Sequence, residues 1–97
     1  MPGRPFPWVE LPRSRWHEFR RRTVRETSLA LLSHVAGVAD CGRTFGLGYS
    51  HACEVVRTLH PRAETTPACL RWYVSRVREG DPGFVARLPQ ARPRSSV

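Results

Sequence analysis

A serine and a histidine stand side by side in residues 48–52, GYSHA. This pentapeptide imitates the G-x-S-x-G elbow that exposes the nucleophilic serine of many hydrolases. The elbow needs a strand leading into the serine, a large α/β sheet and partner residues from elsewhere in the chain. A chain of 97 residues with no strand pattern before the serine is too short to supply these parts. The sequence therefore predicts no enzyme and no catalytic residue.

Histidine and cysteine side chains are the next groups that could do chemistry, because they are the usual ligands of structural zinc. Such sites normally contain Cys pairs or His pairs separated by roughly two to five residues, and this chain has no such pair. An odd number of cysteines without a secretory signal favours a reducing cytoplasm. We expect no metal, no cofactor and no small-molecule ligand at these residues, which are His34, Cys41, His51, Cys53, His60 and Cys69.

Positive charge is the strongest feature of the composition. The formal net charge is +8 and the pI is about 11.2, with arginine as the only charged base. Residues 1–27 and 61–97 each carry a net +4, whereas residues 28–60 are neutral. Such an excess favours a polyanionic partner, and nucleic acid is the commonest one. No apolar run reaches the roughly 20 residues of a membrane-spanning helix, so we expect no membrane association.

The neutral middle of the chain shows the pattern of two short helices joined by a turn. Asp40 is a good N-cap for a helix over 41–46, and Gly46 can adopt the positive φ that a tight turn requires. A second helix is predicted from Tyr49 or Ser50 to Leu59, where the following proline ends it.

Residues 38–59 thus resemble the helix-turn-helix class of bacterial DNA-binding proteins. The resemblance rests on a small residue at the helix crossing, a glycine and a leucine at the turn, and an apolar face on the second helix. These are Gly42, Gly46, Leu47, Ala52, Val55, Val56 and Leu59. The chain departs from the class at Gly48, where a capping Ser or Thr is common, and at Gly42, where Ala is usual.

This resemblance implies that the second helix reads bases in the major groove while arginines elsewhere hold phosphates. The outward residues of that helix, and so the expected base readers, are Tyr49, Ser50, His51, Glu54, Arg57 and Thr58. The expected phosphate contacts are Arg4, Arg20, Arg21, Arg22, Arg25, Arg43, Arg71, Arg76 and Arg78.

The remaining patterns complete an all-α prediction: a small bundle of four to five helices containing the helix-turn-helix. The prolines of residues 1–13 indicate an extended arm, residues 14–88 the helical domain, and residues 89–97 a basic, disordered tail. The apolar segment 27–39 is expected to be the central, most buried helix. Thr66 followed by Pro67 predicts the start of a further helix, reaching to 79.

We therefore expect a small transcriptional regulator of phage, plasmid or bacterial origin that binds double-stranded DNA in a sequence-specific way. It would act in the cytoplasm, associated with the nucleoid, and could dimerise through Trp72 and Tyr73. Two alternatives remain open. One is a basic protein-binding module or inhibitor that grips an acidic partner protein, and the other is an RNA-binding protein.

Overall fold

A computed structural model describes residues 10–92 and shows helices on either side of a short β-hairpin. A 3₁₀ helix covers Arg13–Phe19 and is followed by helix α1, Val24–Ser33. Strands β1 (Val35–Val38) and β2 (Thr44–Gly46) come next. Helices α2 (Tyr49–Leu59) and α3 (Pro67–Arg78) complete the order. The fold is therefore mixed α and β, and the all-α prediction is wrong.

Two of the helices begin at residues whose side chains cap them. In α1, Thr23 accepts a hydrogen bond from the backbone N–H of Glu26, and the Glu26 carboxylate accepts one from the backbone N–H of Thr23. This reciprocal capping box fixes the start of α1. In α3, Thr66 accepts a hydrogen bond from the backbone N–H of Cys69 and Pro67 occupies the first turn, as predicted.

The hairpin replaces the second half of the predicted central helix and the predicted helix at 41–46. Val35 pairs with Gly46, and Val38 pairs with Thr44, in an antiparallel ladder with an irregularity between Val35 and Gly37. Gly42 lies in the connecting turn with φ of 87°. Short apolar runs rich in valine suit strands as well as helices, and here the pairing partner decides the outcome.

The core lies between the 3₁₀ helix and the three α-helices. Leu31 and Leu32 of α1, together with Val55 and Val56 of α2, are fully buried. The other buried members of this core are Leu11, Trp16, Leu47, Ala52, Cys53, Leu70 and Val74. Thr27 near the start of α1 bonds to His60 at the end of α2. Arg92 bonds both to Leu32 near the end of α1 and to Leu47 just before α2, so the two helices run in opposite directions.

Residues 89–92, which the sequence assigned to a disordered tail, pack against the body of the protein. Ala91 forms a parallel bridge with Phe45 of β2, and its backbone N–H donates to the Thr44 carbonyl at 3.1 Å. Arg92 donates to the carbonyls of Leu47 and Leu32 at 2.8 and 2.6 Å. One guanidinium thus joins the C-terminal segment to the end of α1 and the approach to α2.

We predict that Gly42→Ala destabilises the protein by about 1 kcal/mol or more, because a non-glycine residue at this positive φ is strained. In a helix over 41–46 the same change would instead stabilise by about 0.5–1 kcal/mol. Urea denaturation measures the sign of the change in the free energy of unfolding. Cys41→Ala, at an exposed neighbouring position, is the control. A gain in stability would argue against the hairpin turn.

Candidate nucleic-acid interface

Helix α2 presents one polar face to solvent over its whole length. Ser50, Glu54, Arg57 and Thr58 are all exposed on this face, while Ala52, Val55 and Val56 are buried against the core. The Thr58 hydroxyl donates to the Glu54 carbonyl at 2.9 Å, as threonines within helices often do. Four of the six predicted base readers therefore share one accessible surface, which we call the α2 face.

The side chains of the other two predicted base readers are engaged with the rest of the protein. His51 packs its ring edge against Trp16, and its Nε2 accepts a hydrogen bond from the backbone N–H of Leu11 at 2.9 Å. That side chain is only 10% exposed and holds the 3₁₀ segment on α2. Tyr49 is half-buried, with the guanidiniums of Arg71 and Arg92 over its ring. Both residues are supports for the surrounding structure.

Three consecutive arginines lie beside the C-terminal end of α2. The backbone N–H of Arg21 donates to the Thr27 hydroxyl at 2.8 Å, and that hydroxyl lies 2.8 Å from Nε2 of His60. His60 is the C-cap of α2, so this chain of bonds fixes residues 20–22 at that end of the helix. Arg20 and Arg22 are exposed. The guanidinium of Arg21 donates hydrogen bonds to the backbone carbonyls of Glu18 and Arg20.

A second group of arginines lies at the N-terminal end of α2. Arg71 places its Cζ 5.8 Å from the centroid of the Tyr49 ring, and Arg92 places its own at 5.3 Å. Arg78, seven residues after Arg71, occupies the same side of α3 because two helical turns separate them. Arg92 was not among the predicted phosphate contacts, since its burial depends on a long-range pairing with β2 that no local pattern indicates.

Acidic side chains do not neutralise these two groups. Glu18 pairs with Arg15, while Glu79 and Asp81 both pair with Arg76. The Arg76 guanidinium and a backbone N–H hold the pKa of Asp81 below its usual value. Within residues 10–92, no other arginine forms an ion pair with a carboxylate.

The predicted phosphate contacts therefore differ in whether their guanidiniums are free to bind a phosphate. Arg20, Arg22, Arg71 and Arg78 are exposed and unpaired within the described chain, whereas Arg76 is engaged with carboxylates. Arg25 donates to the Gly83 carbonyl and lies over the Phe84 ring. Arg43 is exposed in the hairpin turn and belongs to neither group, and Arg4 lies outside the described residues.

The predicted interface residues Trp72 and Tyr73 form an aromatic cluster with Phe84. The Trp72 and Phe84 rings meet edge to face at 5.3 Å, and the Tyr73 and Phe84 centroids are 5.7 Å apart. Trp72 remains 53% exposed, with the Arg76 guanidinium 5.7 Å from its ring. An exposed tryptophan flanked by arginine has the composition of a protein-binding surface.

Cysteine and histidine residues are dispersed in the fold. Among residues 10–92, no three His, Cys, Asp or Glu side chains are grouped so that they could hold a metal ion. Burial raises the pKa of the Cys53 thiol, and hydrogen bonds from Thr66 lower that of exposed Cys69. None of the helices in the described residues is both long and apolar enough to span a bilayer.

Comparison with protein-family models, with curated proteins and with solved structures produced no match. The function is therefore inferred from the geometry of the α2 face and of the arginines at its two ends.

Proposed function

We propose that this protein binds double-stranded DNA, with the α2 face directed into the major groove. One observation carries the proposal: arginines without carboxylate partners lie at both ends of an exposed polar helix face. Phosphates border a groove on both sides, so a base-reading helix benefits from positive charge at both of its ends.

The length of α2 is compatible with the width of the major groove. An 11-residue helix is about 16 Å long at about 1.5 Å per residue, and the major groove is about 12 Å wide. Arginines just beyond the two ends of α2 would then reach the opposing phosphate backbones. A helix need not belong to a helix-turn-helix to enter the groove, and here a β-hairpin precedes it.

On this proposal, Arg57 is the residue best suited to recognise guanine, since its guanidinium can donate two parallel hydrogen bonds to a guanine edge. Ser50 and Thr58 are suited to bases or phosphates. Glu54 can accept from cytosine N4 and would otherwise repel phosphate. Sequence-specific binding of this kind suits a transcriptional regulator associated with the nucleoid.

Binding of random-sequence duplex DNA to the full chain across a salt series tests the proposal. Five to six phosphate contacts predict a slope of log K against log[salt] of about −4 to −6. We expect binding that weakens steeply as salt rises. Absence of binding at low salt, or binding insensitive to salt, would overturn the proposal.

A second candidate is an interaction with an acidic protein through the aromatic cluster of Trp72, Tyr73 and Phe84. The exposure of Trp72 favours it, because large exposed aromatic rings are enriched at interaction surfaces. The same surface would serve for a homodimer. Analytical ultracentrifugation of the wild-type protein and of Trp72→Ala shows whether this surface mediates self-association.

A further inference from the structure

The N-terminal end of α2 carries an unusual concentration of positive charge. We define the Tyr49 arginine cluster as Tyr49, Arg71, Arg78 and Arg92. The guanidiniums of Arg71 and Arg92 both lie within 6 Å of the centroid of the Tyr49 ring, at 5.8 and 5.3 Å. Burial lowers the pKa of Arg92, and the charge of Arg78 lowers it further.

Arg92 anchors the cluster to the fold. Two of its N–H groups donate to the carbonyls of Leu47 and Leu32, which fixes the guanidinium beside the start of α2. The Tyr49 hydroxyl opposes part of the effect of burial on the pKa of Arg92. Neutral carbonyls and a phenol satisfy hydrogen bonds, but they do not neutralise a positive charge.

No carboxylate compensates the cluster within the described residues. The two acidic side chains that follow Arg78 in sequence, Glu79 and Asp81, are both bound to Arg76. The charge of Arg78 acts on Arg92 with no paired carboxylate to offset it, and such repulsion between like charges costs folding free energy. An anion bound among these arginines would remove that cost and satisfy their free N–H groups.

The start of α2 adds donors to the same place. Gly48 is the N-cap, and no side chain caps the helix. The first backbone N–H groups of a helix lack intrahelical acceptors and carry the positive end of the helix dipole. These donors favour a phosphate at the same end of α2 where the arginines converge. Their contribution is secondary, since the arginines supply most of the charge.

We propose that the Tyr49 arginine cluster binds one phosphate group, and that in the DNA complex this group belongs to the DNA backbone at the N-terminal end of α2. The second half of this inference rests on the proposed function. Arg71 and Arg78 are exposed and would contact the phosphate directly, whereas Arg92 would hold Tyr49 and the site in position.

The first experiment follows ¹H–¹⁵N NMR spectra of the full chain during titration with inorganic phosphate, with chloride at equal ionic strength as the reference. We expect saturable shifts at the amides of residues 49–51 and at the side-chain Nε–H signals of Arg71 and Arg78. Shifts that are absent, or that spread evenly over surface arginines, would overturn the site.

The second experiment compares duplex DNA binding by two variants of equal charge. Arg71→Gln/Arg78→Gln removes the two exposed arginines of the cluster. Arg43→Gln/Arg87→Gln removes two exposed arginines from other segments, the hairpin turn and the segment after α3. One lost phosphate contact reduces the salt slope by about 0.9 and the affinity at 0.1 M salt by about eightfold. We expect this loss in the first variant alone.

The two proposals can fail separately. Equal DNA affinity of the two variants would overturn the cluster as a DNA contact while DNA binding itself stands. Saturable phosphate shifts in a wild-type protein that binds no DNA would overturn the proposed function, and would support the cluster as a site for a free phosphate group. Circular dichroism and thermal unfolding of both variants confirm that they retain the fold.

Discussion

Phe45→Ala is expected to lower the free energy of unfolding by about 3–5 kcal/mol, the largest effect on stability of any substitution considered. Phe45 is only 1% exposed although it lies on a three-residue strand. Its ring covers Gly37 of β1 so closely that a Cβ built on Gly37 would lie 2.5 Å from Cζ of the ring. The ring thereby joins the two strands of the hairpin.

Removal of this ring would leave a cavity beside Gly37 and take away the contact that joins the two strands. Domains of this kind are stable by about 5–15 kcal/mol, so the loss is a large fraction of the total. Urea denaturation measures it, with Val38→Ala as the matched control, because Val38 lies on the same hairpin and is 62% exposed. Equal losses of unfolding free energy in the two variants would show that the Phe45 ring is not buried against β1.

The helices that the sequence predicts well are those with strong local signals. The cap at Thr66 and the proline after it define α3 to within a residue of the observed start. Pro61 follows the last turn of α2, which ends at Leu59 as expected. The capping box of Thr23 and Glu26 is also a local signal, and it would have placed the start of α1 correctly.

The hairpin lacks comparable local signals. A helix over 41–46 and a strand over 44–46 suit the same few residues, and the pairing of Val35 with Gly46 decides between them. Even so, valines on one side of an Asp-Cys-Gly turn and Thr-Phe on the other side fit the pattern of a hairpin. Weighting that pattern above helical periodicity would have given a mixed α and β fold.

The candidate site was predictable where it depends on local helical periodicity and not where it depends on long-range contacts. The outward face of α2 follows from helical periodicity, which correctly exposes Ser50, Glu54, Arg57 and Thr58. The inward position of His51 could not be predicted, because its partner Leu11 is 40 residues away in sequence. The same holds for Arg92, which reaches Leu32 across 60 residues. Local patterns show which residues share a face, and only the tertiary fold shows which face is covered.

Arg20→Gln/Arg22→Gln is expected to weaken binding to duplex DNA by about 60-fold at 0.1 M salt, if each arginine neutralises one phosphate. The salt slope should become less steep by about 1.8, since each phosphate contact contributes about 0.9. Both side chains are exposed at the C-terminal end of α2 and have no carboxylate partner in the described chain. The loss should be the same for all DNA sequences, because phosphates carry no base identity.

Arg43→Gln/Arg87→Gln has the same net charge and is the matched control, so a difference between the two variants reports position and not overall charge. Arg57→Ala removes a guanidinium from the α2 face. This variant should lose preference between DNA sequences more than it loses affinity for random DNA. Fluorescence anisotropy over a salt series measures all three proteins. If the two double variants lose affinity equally, the positive charge acts as a diffuse field, and α2 has no special role in holding DNA.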